Sequence, residues 1–129
     1  MGTARINLVA YEGDSFERRL RWMQGSPAVG VDLTDYAGLM RVRPAINSPE
    51  VLFELTTENG GFVIPTQTGD DIGAFSLVID KEDIEEKCPN HTNKEWVYGA
   101  VLTAPDGTRK TKLEGTFTIK ASVPRPWIV

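Results

Sequence analysis

The chain has 129 residues, of which 40% are hydrophobic and 25% charged, and a formal net charge of −4. That composition is ordinary for one soluble domain able to bury a core without staples. The acidic balance argues against a general nucleic-acid binder, and the single cysteine, Cys88, rules out an internal disulfide. No apolar run approaches the roughly eighteen residues that cross a bilayer, and Arg5, Asn7, Glu12 and Asp14 interrupt any secretory leader.

Taken in order, Ala4 to Ala10 reads as a first strand with Ile6, Leu8 and Ala10 on one face, followed by a turn at Glu12-Gly13-Asp14. Ser15 to Trp22 reads as a second strand. In it Phe16, Leu20 and Trp22 share a face with Arg18, while Glu17, Arg19 and Arg21 take the other. Gln24-Gly25-Ser26-Pro27 breaks the pattern. Val31-Asp32-Leu33 then leads through a turn-like Thr34-Asp35-Tyr36 into a strand where Leu39, Arg41 and Arg43 alternate with Met40 and Val42. Pro44 closes that strand, because its ring removes a ladder donor.

Beyond Asn47-Ser48-Pro49, Val51, Phe53 and Leu55 alternate with Leu52, Glu54 and Thr56. Asn59-Gly60-Gly61 is a strong turn signal, since Asn and Gly tolerate positive φ. Phe62 to Ile64 begins a short strand that Pro65 stops, and Phe75, Leu77 and Ile79 alternate with Ser76, Val78 and Asp80. Asp80 to Cys88 reads as one helical turn, capped by Asp80, with Glu82 and Asp83 suited to the positive end of the helix dipole and Pro89 ending it. Glu95 to Leu102 is apolar on both faces, which predicts a central strand. Pro105-Asp106-Gly107 is a hairpin-type turn, and Arg109 to Lys120 returns with Leu113, Gly115, Phe117 and Ile119 inward. About eight strands with turn signals between them predict an all-β sandwich or barrel with one short helical turn.

The expected core is Phe16, Leu20, Trp22, Leu33, Val42, Phe53, Leu77, Trp96 and Phe117. Loss of the Trp22 ring would cost about 3–5 kcal/mol if that ring is fully buried.

Catalytic chemistry finds little support. His91 is the only histidine and sits in Asn90-His91-Thr92-Asn93 with no nucleophile or carboxylate spaced to meet it. Asn90-His91-Thr92 also matches a glycosylation sequon, which matters only in a eukaryotic secretory pathway. Cys88, between Lys87 and Pro89, reads as a passive thiol at a helix end. Asp70-Asp71, Asp80, Asp83, Glu85 and Glu86 lack the ligand spacing of a calcium loop. Phosphate loops, nucleophile elbows and zinc spacings are absent, so no enzyme, metal or cofactor is expected. Arg19, Arg21, Arg41 and Arg43 fall on outward strand faces; they suit either an acidic partner surface or ordinary edge protection and solubility.

The succession YEGDSFERRLRWMQGSPAVGVDLTDYAGLMRVR, then VLFELTTENGGFVI, IGAFSLVID and WVYGAVLTAPDGTRKTKLEGTFTIKASVPR, resembles a family of small tailed-bacteriophage proteins. Those proteins open on G-x-x-F … L-x-W … G-x-P-V-D-L-T-G-Y … R-V-R and close on Y-D-L … G … L-x-G-x-x-x-V … V-T-R. Over roughly residues 11 to 125 the chain is also similar to the N-terminal domain of phage baseplate upper proteins. That resemblance implies an immunoglobulin-like antiparallel β-sandwich of about 7–9 strands over residues 1–123. The chain departs from the pattern at Asp35, where Gly is usual, at Gly99-Ala100-Val101 and at Pro124. These departures bear on turn geometry and the docking face.

The implied role is that of a virion structural protein made in the host bacterial cytoplasm. It would dock on other virion proteins as an adaptor at tail, neck or baseplate or as a capsid decoration, and self-associate in the particle without nucleic acid or membrane. The alternative is a carbohydrate-binding or adhesin-type sandwich, which needs spare exposed aromatics. Residues 124–129 form an extended apolar tail in which Pro124 and Pro126 precede Trp127, Ile128 and Val129. That tail suits two roles: folding back over its own domain, or crossing to a neighbour as an anchored arm.

Overall fold

The computed structural model describes residues 4–88 and 92–121. The expected tail contacts of Trp127, Ile128 and Val129, the separate segment 124–129, and His91 lie outside the described residues. The first half of the chain supplies β1 (Ala4–Arg5), β2 (Leu8–Tyr11), β3 (Phe16–Arg21), β4 (Met23–Gln24), β5 (Val29–Gly30) and β6 (Ala37–Arg43). The second half supplies β7 (Phe53–Thr56), β8 (Phe62–Val63), β9 (Ala74–Ile79), the helical turn α1 (Lys81–Glu86), β10 (Lys94–Thr103) and β11 (Arg109–Lys120). The protein is all-β.

The large sheet runs β1-β11-β10-β6-β7, with β2 also on β11, and a second sheet runs β3-β9-β8; β4 and β5 form a small hairpin. Strand β10 pairs with both β6 and β11, in keeping with its two apolar faces. Inward residues of both sheets share one core, in which Phe117 of β11 meets Phe16 of β3 edge-on at 5.4 Å and Phe53 of β7 at 5.7 Å.

The first strand departs from expectation in two ways. It is split at Ile6-Asn7, and both pieces run parallel to β11, not antiparallel. The register is continuous across the gap, Ala4 facing Leu113 and Leu8 facing Phe117. At the gap the backbones touch: a Cβ on Gly115 would lie 2.3 Å from the Ile6 carbonyl oxygen. That same oxygen accepts the Tyr98 hydroxyl at 2.6 Å, and the Ile6 amide donates to Glu114 O at 3.0 Å. The break is thus hydrogen-bonded, as a buried backbone requires.

Three residues assigned to the core sit at its margin. Leu20, Trp22 and Trp96 are half-buried and pack against it, whereas Phe16, Leu33, Val42, Phe53, Leu77 and Phe117 are buried. Trp22 leans edge-on against Tyr36 at 6.4 Å. Trp22 directly follows the last residue of β3, Arg21. Asp80 stands at the start of α1 but accepts no capping bond through its carboxylate; its carbonyl instead takes the Asp83 and Ile84 amides.

Two amides organise the loops. Gln67 Oε1 accepts the Leu33 amide at 2.9 Å and the Gly73 amide at 2.7 Å, while Nε2 donates to Pro65 O at 2.9 Å. Asn59 occupies the outer edge of β7, with Oδ1 accepting the Thr56 and Gly61 amides and Nδ2 donating to Glu54 O. A side chain standing in for a strand blunts an edge open to foreign pairing.

Burial pushes the Tyr98 phenol up from about 10 to about 12, against the opposing charge of Arg18. The folded state therefore favours the neutral ring. Its contribution is complete below about pH 10 and is lost as pH rises through about 12. Denaturant melts between those values should show an alkaline loss of stability that Tyr98→Phe diminishes. The same variant should lose about 1 kcal/mol at neutral pH with the hydrogen bond to Ile6. Identical alkaline slopes for both proteins would contradict the assignment.

Candidate functional site

The outer face of the large sheet carries a row of residues fixed by strand register. Arg5 is aligned with Glu114, Glu114 with Gly99, Gly99 with Arg41, and Arg41 with Glu54, across β1, β11, β10, β6 and β7. Aligned residues project to the same face. Charges on either side close into pairs, Arg41 Nε to Glu54 Oε2 at 2.7 Å and Arg5 to Glu114 at 3.4 Å. Both pairs are exposed, so each contributes little stability, about 0–1 kcal/mol.

Gly99 lacks a side chain, and the row dips there into a hollow of about 490 Å³. Leu39, Val97 and Val101 give it apolar walls, and Arg43, Arg109 and Ile46 complete the rim. Ile46 is 83% exposed. Arg43 is held by a bond from Nη1 to Ser48 O at 3.1 Å. An apolar hollow edged by guanidinium groups suits protein contact, because arginine loses little by partial desolvation and pairs with carboxylates in fixed geometry.

The four arginines singled out from the sequence do not form one cluster. Arg41 and Arg43 belong to this hollow, while Arg19 and Arg21 lie on β3 in the other sheet. There Arg19 holds Asp71 Oδ1 and Asp70 O, both at 3.0 Å, and Arg21 Nε holds Ile72 O at 2.8 Å. Their work is to pin the short 3-10 segment Gly69–Asp71 against the sheet edge. Arg5, Arg109 and Ile46 were not among the contact candidates read from the sequence, and Gly99 figured there only as a departure from the family pattern, because only the register of β1, β10 and β11 brings them to Arg41. The sole local signal was Gly99 inside an otherwise apolar strand, a mark of close approach or of space.

Other features are less suited to ligand chemistry. A groove of about 620 Å³ beside Thr34, Tyr36, Thr57 and Gln67 borders the Asp32 turn. The Thr34 hydroxyl and then its amide hold the Asp32 carboxyl below its usual range. Trp22 and Tyr36 are half-buried and meet edge-on, whereas Tyr11 is 51% exposed. Cys88 is buried and donates to Thr92 O at 3.1 Å. Among the described residues no three metal-ligating side chains converge, and no helix is long and apolar enough to cross a membrane.

Comparison with known proteins adds no relative: no protein-family model matches the chain, and no curated protein matches it.

Proposed function

We propose that this chain is a virion structural protein of a tailed bacteriophage, an immunoglobulin-like β-sandwich that docks on other particle proteins through the outer face of its large sheet. The observation that carries the docking role is the arginine-edged apolar hollow over Gly99. The sandwich reading is supported by strand order: an N-terminal strand parallel to the last strand, next to β10, β6 and β7, with β3-β9-β8 as a separate sheet, is compatible with a variable-type sandwich. Particle membership is supported by the resemblance over residues 11 to 125. One of its departures is telling: Asp35, where the pattern has Gly, holds φ at 64°, a conformation Gly adopts freely.

The chain acts as an adaptor at tail, neck or baseplate, or as a capsid decoration. Antibodies raised against the recombinant chain and applied to purified particles under the electron microscope test this. Labelling at a fixed position in the particle is expected. Particles free of the chain, from lysates that contain it in abundance, would overturn the proposal.

A further inference from the structure

We infer that the hollow over Gly99 is an interface between copies of this chain, in which the arginine face of one copy receives the acidic ridge around α1 of the next. The inference rests on the docking reading of that face and names its partner. Arg5, Arg41, Arg43 and Arg109 line the hollow with Glu114, and Glu54 stands beside it, so positive charge exceeds negative by two (four minus two). The chain as a whole is at −4, and its acidic excess must therefore lie elsewhere. It gathers at residues 80–87, where Asp80, Glu82, Asp83, Glu85 and Glu86 outnumber Lys81 and Lys87 by three (five minus two).

Asp80, Asp83 and Glu86 edge a groove of about 480 Å³ with Leu52 and Val78. One copy thus presents apolar walls under arginines, and the next presents apolar side chains among carboxylates. Charge also constrains the contact. Setting this face against its own copy would oppose arginine to arginine, whereas setting it against the ridge pairs opposite signs and lets each copy use both surfaces.

Sedimentation velocity on the purified full chain tests the inference without the particle. Association that grows with concentration and weakens with salt is expected. Gly99→Leu fills the hollow from its floor and should weaken association about tenfold or more. A Cβ at Gly99 has its nearest neighbour, Leu113 O, at 3.9 Å, so a side chain can begin there without a backbone clash. Reversing the face (Arg41→Glu with Arg43→Glu) or the ridge (Asp83→Lys with Glu86→Lys) should leave each variant monomeric. Mixing the two should restore assembly, because native then meets native and reversed meets reversed.

A wild-type chain that stays monomeric at low salt and high concentration overturns the inference, as does undiminished association of the folded Gly99→Leu variant. A monomeric chain that is nevertheless found in particles sinks this inference alone. A self-associating chain absent from particles sinks only the particle assignment.

Discussion

Truncating Phe117 to alanine is expected to cost about 3–5 kcal/mol, the range for a fully buried aromatic side chain. The residue is 0% exposed, and its ring bridges the sheets, touching Phe16 of β3 and Phe53 of β7 as well as its own strand's neighbours. Three strands from distant parts of the chain meet on that one ring. None can close the gap without dragging its ladder out of register, so the cavity should persist. Denaturant melts should show a lower midpoint with an unchanged slope. A loss below about 1 kcal/mol would mean that the two sheets do not share this core. Trp22→Ala should cost less than Phe117→Ala, because its ring is half-buried.

Gly73→Ala is expected to cost about 3 kcal/mol, from backbone strain and crowding together. Gly73 holds φ at 89°, and a Cβ there would lie 2.4 Å from the Trp22 carbonyl oxygen and 3.1 Å from the Val31 amide nitrogen. Those neighbours are backbone, and they are tied. The Trp22 amide donates to Gly73 O at 2.8 Å, the Val31 amide to Trp22 O at 3.0 Å, and the Gly73 amide to Gln67 Oε1 at 2.7 Å. Relief would require breaking the brace that joins the end of β3 to the start of β9. A thermal melt should fall by about 10 °C for a domain of this size. An unchanged melting temperature would show that the three segments are not cross-braced in this way.

Much of the fold was legible because side-chain alternation is local. Met40 and Val42 against Leu39 and Arg41, Phe75 and Leu77 against Ser76, and the inward set Leu113, Phe117 and Ile119 all follow from the period of a strand. Pro44 and the Asn59-Gly60-Gly61 turn bound their strands for reasons equally local. The two apolar faces of β10 announced a strand with neighbours on both sides. Burial of the two half-buried tryptophans was not legible. Period-two patterning says which face a ring takes, not how far the opposite sheet extends over it.

By itself, then, the sequence determined an all-β chain, the faces of its strands, and the place of its turns and one helical turn. The tertiary structure alone decided that residues 4–11 run parallel to β11, that Arg19 and Arg21 part from Arg41 and Arg43, and that Arg5, Glu114, Gly99, Arg41 and Glu54 fall in one row. The physical reason is that register and sheet partnership are set by long-range packing. A strand's own residues specify two faces, but only closing the core around Phe117 chooses which neighbour lies alongside and at what offset.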